Sequence, residues 1–523
     1  MLDNILNNRT VVLYVLPFLL GSLTVLSFQP FNLSFINFFV LPIFFFLIVY
    51  VKKKSKSVYR KKPFKKNLFI IGSIFGFGFY LSGIFWIAYS LTFDDSFKYL
   101  IPFAVILIPL FLSLFIGLTI LVIGQFLTYN FSSILLFSGS LALSDYIRGK
   151  VLTGFPWNLW AYSWSWLTEV LQVLNLIGLF AFNLLVVTIF TLPAALFFKT
   201  NLVKKTLTIS LMFLFIFLIY IYGTYSINKN KGLINYLEES KKNYVKVISP
   251  NFDLKYDLTI DDVEKKLIKL IKYSNPDKKK ETLFIWPEGV FTGYHLNEIL
   301  KFKNLINDNF GRKHLILFGI NTIDKISNNY FNSLVIINNK FEILHQYNKK
   351  KLVPFGEFLP FEKILNKFGL KKITQGHGSF LKGDIQKNIE IRDLNILPLI
   401  CYEIIFPEIS QKSNTKTNLI VNISEDGWFG NSIGPHQHFA KAIFRSIEGN
   451  SFLVRSANKG ISAIINNKGQ ITKKLNINET GSIEMNVPLL ESQNKNKNDL
   501  IFFTLLFTYL LIFLIFKNKS NAK

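Results

Sequence analysis

The chain has 523 residues, 50% of them hydrophobic and 18% charged, and Lys plus Arg exceed Asp plus Glu by 26. The charged fraction lies below the roughly 25% of soluble domains, and 55 Phe residues are too many for one globular core. This composition excludes a disordered, collagen-like or disulfide-stapled protein, since Cys401 is the one cysteine. The basic excess invites nucleic-acid binding. Much of it lies beside apolar runs, however, so we favour membrane-topology charges and expect no nucleic-acid partner.

Apolar runs fill the first 230 residues, and each is long enough for a helix to cross the ~30 Å hydrocarbon core of a bilayer. Seven runs lie there and an eighth lies near the end of the chain, at residues 10–28, 34–51, 68–90, 100–124, 131–147, 167–198, 205–226 and 499–516. Residues 52–66 hold nine Lys or Arg and no acid, which predicts a cytoplasmic loop. Eight crossings then leave both chain ends in the cytoplasm and residues 230–495 outside.

The stretch between the seventh and eighth runs has an α/β pattern. Short β-branched or alternating runs alternate there with helical patterns at 261–273 and 435–448. The predicted strands are 244–249, 282–286, 314–320, 333–337, 394–400, 419–423, 452–456 and 462–465.

This pattern divides the chain into three parts. We predict seven transmembrane helices in residues 1–230, an inserted α/β domain in 231–495, and an eighth helix with a cytoplasmic tail in 496–523.

Three residues near apolar strands of the α/β domain could carry chemistry. Glu288 and Cys401 follow predicted strands, and Lys349 precedes the segment 352–357. Ligands gather beyond the carboxyl ends of strands in open α/β sheets. A thiolate is the reactive form of Cys, an ammonium favours it, and a carboxylate can take its proton. The three residues therefore fit a base, a cation and a nucleophile.

Each of these residues also has an ordinary interpretation. Cys401 could be a small buried hydrophobe, Lys349 could belong to a solvated charge run, and Glu288 could favour a helix start. His436 and His438 could bind a metal with Cys401, but the few clustered ligands argue against zinc. We therefore expect no metal and no cofactor.

Taken jointly, several segments resemble the nitrilase, or carbon–nitrogen hydrolase, superfamily, and with the membrane part they resemble the apolipoprotein N-acyltransferase family. These segments are residues 153–158, 286–288, 347–349, 352–357, 401–403, 427–438, 445, 455–458 and 460–461. Three features depart from the family pattern. Glu425 stands where the family has Asn, Ser249-Pro250 replaces Gln-Gly, and Tyr256 replaces Trp. These departures concern the wall of the pocket.

The resemblance implies an αββα sandwich and an acyltransferase. It implies that Glu288 is the general base, Lys349 stabilises the oxyanion and Cys401 is the nucleophile that forms an acyl-thioester. The supporting residues that it implies are Glu357, Tyr402 and Glu403. The acyl donor would be a phospholipid of the bilayer, with phosphatidylethanolamine expected, and the acceptor the α-amine of a diacylglyceryl-cysteine lipoprotein. The location would be the bacterial inner membrane, with the α/β domain in the periplasm.

Two apolar features suit a lipid substrate. The segment 355–370 is apolar enough to lie on a membrane surface and gate entry, and Trp157 and Trp160 suit the bilayer boundary. For the segment 355–370, packing in a protein core is an equal alternative.

Two rival functions remain. The first is a membrane-tethered amidase or nitrilase that hydrolyses a C–N bond; one helix would suffice for tethering. The second is a transporter or lipid-binding membrane protein with a catalytically dead domain. Transport sites usually show intramembrane charges, and the apolar runs offer few beyond Asp145, Arg148 and Glu169.

Overall fold

The computed structural model describes residues 6–55, 61–240, 242–365, 379–384, 388–411, 417–490 and 498–521. The chain falls into two compact units. The helical unit comprises Met1–Ala88, Tyr99–Tyr225 and Lys497–Lys523, and the sheet unit comprises Tyr89–Lys98 and Ser226–Asn496. Residues Tyr89–Lys98 thus belong to the sheet unit, although they include the end of the predicted crossing 68–90 and the link to the crossing 100–124.

Helices make up the described chain before the first strand and after the last. They are Val11–Val15, Leu16–Thr24, Val25–Ser27, Ser34–Ile36, Asn37–Lys54, Phe64–Ile84, Phe85–Phe93, Asp95–Leu100, Ile101–Ile123, Phe131–Lys150, Trp160–Trp164, Thr168–Leu171, Leu174–Thr191, Leu192–Phe197, Leu202–Ser240 and Asn498–Asn521.

Six helical stretches of the described chain are long and apolar enough to cross a membrane. They are Ser34–Lys54, Phe64–Phe93, Asp95–Ile123, Leu174–Phe197, Leu202–Leu237 and Asp499–Lys517. Each overlaps a predicted crossing. The two other predicted crossings coincide with the shorter apolar helix Val11–Ser27 and with the helix Phe131–Lys150. By length and composition the chain is therefore a multi-pass membrane protein.

Two of the three charged residues named within the apolar runs, Asp145 and Arg148, pair with each other inside the helical unit. The guanidinium of Arg148 lies 2.9 Å from the carboxylate of Asp145, whose other oxygen accepts a hydrogen bond of 3.0 Å from Asn183. Arg148 also lies over the ring of Tyr80. Because intramembrane charges are stabilised by such partners, this cluster has a packing explanation that requires no transported ion.

Trp157 and Trp160 do not lie at a boundary with lipid. Both side chains are buried, Trp157 against Trp86 at a ring distance of 4.9 Å and Trp160 against Phe79 at 5.3 Å. The prediction that they anchor the interface is wrong, because these rings pack with other rings of the helical unit.

The described residues of the sheet unit contain twelve strands. They are β1 Tyr244–Ser249, β2 Thr282–Ile285, β3 His314–Ile323, β4 Tyr330–Asn338, β5 Ile343–Asn348, β6 Ile389–Ile391, β7 Leu394–Ile400, β8 Leu419–Glu425, β9 Phe452–Asn458, β10 Ser462–Ile465, β11 Ile471–Leu475 and β12 Gly481–Asn486. All eight predicted strands overlap an observed one. The others, β5, β6, β11 and β12, are sheet-edge strands.

The strands form two six-stranded sheets of similar construction. One has the order β12-β1-β2-β3-β4-β5 and the other β11-β10-β9-β8-β7-β6. In each sheet three central strands run parallel, β1-β2-β3 and β7-β8-β9, and antiparallel strands flank them. The carboxyl ends of parallel neighbours meet at one edge, which collects the loops that follow them.

The two sheets pack face to face between helices. One apolar core joins residues of both sheets, including Val247 and Leu317 of the first and Ile400 and Val421 of the second. A second core packs the outer face of the first sheet against the helix Ile260–Ser274. The helix Gly434–Gly449 packs against β9 of the second sheet. The layers are therefore α, β, β and α, as the family resemblance implied.

The remaining helices of the sheet unit are short. They are Leu296–Ile299, Leu300–Phe302, Lys303–Asn309, Glu362–Leu365, Cys401–Ile405, Pro407–Gln411 and Asp426–Phe429.

Candidate active site

The ends of three strands bring the predicted triad into one buried cluster. Glu288 lies three residues past β2, Lys349 directly follows β5, and Cys401 directly follows β7. Lys349 Nζ lies 3.4 Å from Glu288 Oε1, and the Cys401 thiol is close enough to both side chains for their charges to act on its pKa. All three side chains are buried. A carboxylate, an ammonium and a thiol therefore share one site between the sheets.

Lys349 is held between two carboxylates. Its ammonium lies 2.8 Å from Glu357 Oε1 in addition to its contact with Glu288, and the side chain is 1% exposed. Burial disfavours the ammonium, but the charges of Glu288 and Glu357 outweigh it and raise the pKa of Lys349. Lys349 is therefore a fixed cation at neutral pH, which suits it to stabilise a developing negative charge.

Asn332 on β4 ties the two carboxylates together, and the sequence did not single it out. Its side-chain N–H group donates to Glu288 Oε1 and to Glu357 Oε1, at 2.7 Å each. The backbone carbonyl of Asn332 accepts from the N–H of Lys349 at 2.8 Å. This residue thus fixes three charged groups. In the sequence, Asn332 is only a polar residue beside an apolar run. Its proximity to Lys349 follows from the pairing of β4 with β5.

Glu403 fixes the segment that carries the cysteine. One oxygen accepts from the N–H of Ile400 at 2.9 Å, while the other accepts from Lys350 N at 2.7 Å, Lys351 N at 3.1 Å and the Tyr347 hydroxyl at 2.8 Å. The carboxyl is fully buried, and burial raises its pKa. Glu403 therefore joins the end of β7, beside Cys401, to the end of β5, beside Lys349.

The backbone at Cys401 is in the left-handed region, with φ +46°. A non-glycine residue there costs on the order of 1–3 kcal/mol, and such strain persists where surrounding contacts impose it. The hydrogen bonds of Glu403 on either side supply those contacts. Tyr402 follows with its ring against Phe406 at 5.1 Å. The tight turn thus places the thiol at the end of β7.

The Cys401 thiol is neutral in the resting site. Burial raises its pKa, the carboxylate of Glu288 raises it further, and Lys349 lowers it by less. Ser424, on the neighbouring strand β8, lies close enough to the thiol to lower its pKa, but by less than burial raises it. A thiol in this state would have to lose its proton to act as a nucleophile, which would require an adjacent base.

A buried ion pair holds the end of β8. Asp426 accepts from Arg455 Nη2 at 2.8 Å, lies 3.0 Å from His438 Nδ1 and accepts from the Ser424 hydroxyl at 2.6 Å. Despite burial, Arg455 and His438 keep the pKa of Asp426 well below its usual range. Burial and Arg455 lower the pKa of His438 to about 4, so it is neutral at pH 7. This pair anchors the strand beside the thiol.

A glycine lets the sheet approach the candidate base. A Cβ at Gly319 on β3 would lie 2.9 Å from Glu288 Cα and 3.1 Å from Ile423 Cδ1. Because the nearer neighbour is a backbone atom, any larger residue at this position would have to displace Glu288.

The predicted entry segment 355–370 is described only in part. Phe355 and Phe361 are exposed and Leu359 is buried. Residues 366–370 of this segment, which include the apolar Phe368 and Leu370, lie outside the described residues.

Both parts of the chain match known families. Residues 20–192 match the apolipoprotein N-acyltransferase N-terminal domain, and residues 256–494 match the carbon–nitrogen hydrolase family. A protein of Rickettsia typhi named apolipoprotein N-acyltransferase is 32% identical, and the alignment covers 95% of this chain and 98% of that protein. A protein of the same name from Rhodopseudomonas palustris is 30% identical, with 91% and 89% covered.

A solved structure is similar to part of the chain. Nit3 of Saccharomyces cerevisiae, a member of the nitrilase superfamily, is 14% identical with a TM-score of 0.36; 47% of this chain and 90% of Nit3 are covered.

The contacts of Glu403 yield a stability prediction. In Glu403→Gln, one carboxylate oxygen becomes an NH₂ group, which leaves at least one buried donor without an acceptor and costs about 2 kcal/mol. For a domain of this size that lowers Tm by ~4 to 8 °C. Thermal unfolding in detergent measures the effect. Glu264→Gln, an exposed carboxylate on the helix Ile260–Ser274, is the control and should keep the wild-type Tm. Equal Tm values for both variants would contradict the role assigned to Glu403.

Proposed function

Because the chain belongs to the apolipoprotein N-acyltransferase family, we propose that it moves a fatty acyl chain from a membrane phospholipid to the N-terminal amine of diacylated lipoproteins. The observation that carries this proposal is the extent of the likeness: relatives at 30% and 32% identity match through the helical unit as well as the sheet unit. An amidase tethered to a membrane would not require that likeness in the helices, and the relatives give it no better support.

The first half of the reaction forms a thioester. Glu288 takes the proton of the Cys401 thiol, and the sulfur attacks the ester carbonyl of the phospholipid. The resulting oxyanion lies against the Lys349 ammonium and the backbone N–H of Tyr402. A preorganised donor of this kind contributes ~3 kcal/mol to transition-state stabilisation. The C–O bond then breaks, and the lysophospholipid leaves with the proton returned by Glu288.

The second half transfers the acyl group to nitrogen. The α-amine of the diacylglyceryl-cysteine attacks the thioester, and Glu288 takes a proton from the attacking nitrogen. The C–S bond breaks as the amide forms, and the Cys401 sulfur regains a proton. One base and one cation thus serve both halves, which is consistent with Lys349 being a fixed ammonium.

Three further groups support this arrangement. Glu357 holds the ammonium of Lys349, Glu403 holds the turn of Cys401, and Tyr402 supplies the backbone donor. Their roles are to position the triad or to stabilise the oxyanion.

The substrates explain the fusion of this site to apolar helices. Both carry acyl chains, and moving a chain into water costs ~0.8 kcal/mol per exposed CH₂ group. Neither substrate would leave the bilayer for a separate soluble enzyme. Phosphatidylethanolamine is the proposed donor. We place the enzyme in the bacterial inner membrane, with eight crossings, the α/β domain of residues 231–495 between the seventh and eighth, and that domain on the periplasmic side.

Acyl transfer predicts a covalent intermediate on the one thiol of the chain. Purified protein incubated with phosphatidylethanolamine should gain the mass of one acyl group at Cys401, released by hydroxylamine, because thioesters are cleaved by that reagent. Intact-protein and peptide mass spectrometry measure the adduct. Cys401→Ala should gain none. An unmodified thiol in protein that still transfers acyl groups would refute the thioester step.

The proposed topology predicts on which side of the membrane an introduced cysteine can be labelled. In a Cys401→Ala background, Ile326→Cys places a thiol on a side chain that is 96% exposed in the sheet unit. A membrane-impermeant maleimide should label it in spheroplasts. Lys199→Cys lies in the segment 199–205 between the sixth and seventh predicted crossings, whose three Lys residues predict a cytoplasmic loop. This thiol should label only after the membrane is permeabilised. The reverse pattern would overturn the orientation.

A further inference from the structure

Glu425 lies directly behind the proposed base. It is the last residue of β8 and is buried, and its backbone N–H donates to Glu288 Oε2 at 3.1 Å. Its carboxyl packs on the residue after the base: a Cβ at Gly289 would lie 2.8 Å from Glu425 Oε2. A change in the charge of the Glu425 carboxyl therefore alters the electrostatic environment of Glu288.

The carboxyl of Glu425 has neutral donors. Asn458 Nδ2 donates to Oε2 at 2.7 Å, and Gly427 N–H donates to Oε1 at 2.8 Å. The amide of Asn458 is fixed in this orientation, because it exchanges two hydrogen bonds of 2.8 Å with the backbone of Phe252. Neither donor supplies a positive charge.

The neighbouring carboxylates each have a cation, but Glu425 does not. Glu288 pairs with Lys349, and Asp426 pairs with Arg455. Among the described residues, no Lys, Arg or His lies within ion-pair distance of Glu425. Burying an unpaired carboxylate costs several kcal/mol, so such a group keeps its proton. Burial accordingly raises the pKa of Glu425 to about 8, against the opposing hydrogen bond of Asn458.

The charged and titratable groups that face Glu425 come from every element around it. Glu288 and Asp426 are carboxylates. Tyr256 follows β1, Lys266 lies on the helix Ile260–Ser274, and Lys459 follows β9. Burial raises the pKa of Tyr256, so its phenol stays neutral. Lys266 lies 5.2 Å from the ring of Phe252, and burial lowers its pKa, so its titration must be controlled for.

We propose that Glu425 is a positioning residue that must carry a proton for Glu288 to act as the base, so that acyl transfer declines when Glu425 ionises. This inference rests on the proposed function. A second negative charge behind Glu288 repels its carboxylate from the place that Asn332 and Lys349 define. It also opposes the negative charge that develops on sulfur and on the oxyanion. The ionisation of Glu425 therefore sets the upper pH limit of acyl transfer.

The test compares the pH profiles of the wild type and Glu425→Gln, a near-isosteric variant that cannot ionise. Acyl transfer from phosphatidylethanolamine vesicles to a synthetic diacylated lipopeptide is measured from pH 6 to 9.5, and each profile is scaled to its own maximum. The wild type should keep roughly a tenth of its maximal kcat/KM at pH 9, as expected for a proton lost near pH 8. Glu425→Gln should keep more than half. The same decline in both proteins would overturn the proposal.

Lys266→Arg distinguishes a decline caused by ionisation of Glu425 from one caused by deprotonation of Lys266. The variant keeps the cation but does not titrate in this range, so the decline should remain at its wild-type position. Loss of the decline in Lys266→Arg would assign it to Lys266 and overturn the proposal.

Thermal unfolding gives a readout that does not depend on activity. With a folded-state pKa of about 8, above the ordinary value of 4.5, Glu425 contributes stability at low pH that is lost as the pH rises through this window. The Tm of Glu425→Gln minus that of the wild type should therefore increase from pH 5 to 8 and then level off. A pH-independent difference would show that Glu425 is ionised in the folded protein. If the wild type transfers no acyl group at any pH, the proposed function fails, while this measurement still decides the state of Glu425.

Discussion

The site depends on one buried cation. Lys349 is 1% exposed and lies 2.8 Å from Glu357 and 3.4 Å from Glu288. An ammonium in such a place is tolerable because carboxylates pair with it and Asn332 completes their hydrogen bonds. Burial and the charge of Glu288 raise the pKa of the Cys401 thiol. Lys349 lowers this pKa, but by less. Removal of Lys349 would leave two buried carboxylates without their cation, so the cluster depends on this side chain.

The two sheets make this arrangement possible because each delivers its groups at strand ends. The first sheet supplies Glu288 and Lys349, and the second supplies Cys401. Glu403 joins the second sheet to the first through backbone donors, and the N–H of Glu425 reaches Glu288 from β8. The geometry of the cluster is therefore set by two buried carboxylates, Glu403 and Glu288, each of which accepts from a main-chain N–H of the facing sheet. Acyl-chain substrates that stay in a bilayer then require this rigid site to be carried on apolar helices.

The sequence predicts the buried elements of this protein better than its edges and contacts. The eight predicted strands have apolar, β-branched runs, whereas β5 and β11 are largely exposed and become strands through pairing. The triad could be found from motifs, but Asn332 could not, because its role depends on the pairing of β4 with β5. The aromatic residues around Trp157 fit either a protein core or a lipid boundary. The sequence analysis placed Trp157 at the lipid boundary, whereas the side chain is buried in the protein. The structure also places Glu425 against Glu288 and Gly289, and these contacts could not be read from the sequence.

The central claim is that Cys401 rests as a neutral thiol whose proton Glu288 removes during the reaction. The pH dependence of its alkylation by iodoacetamide tests this directly, because the chain has no other cysteine. The account predicts an apparent pKa above the ~8.5 of a free thiol, higher still in Lys349→Met and lower in Glu288→Gln, since those changes remove a lowering and a raising charge. A wild-type alkylation rate that is already at its plateau at pH 7 would show a preformed thiolate and contradict the account.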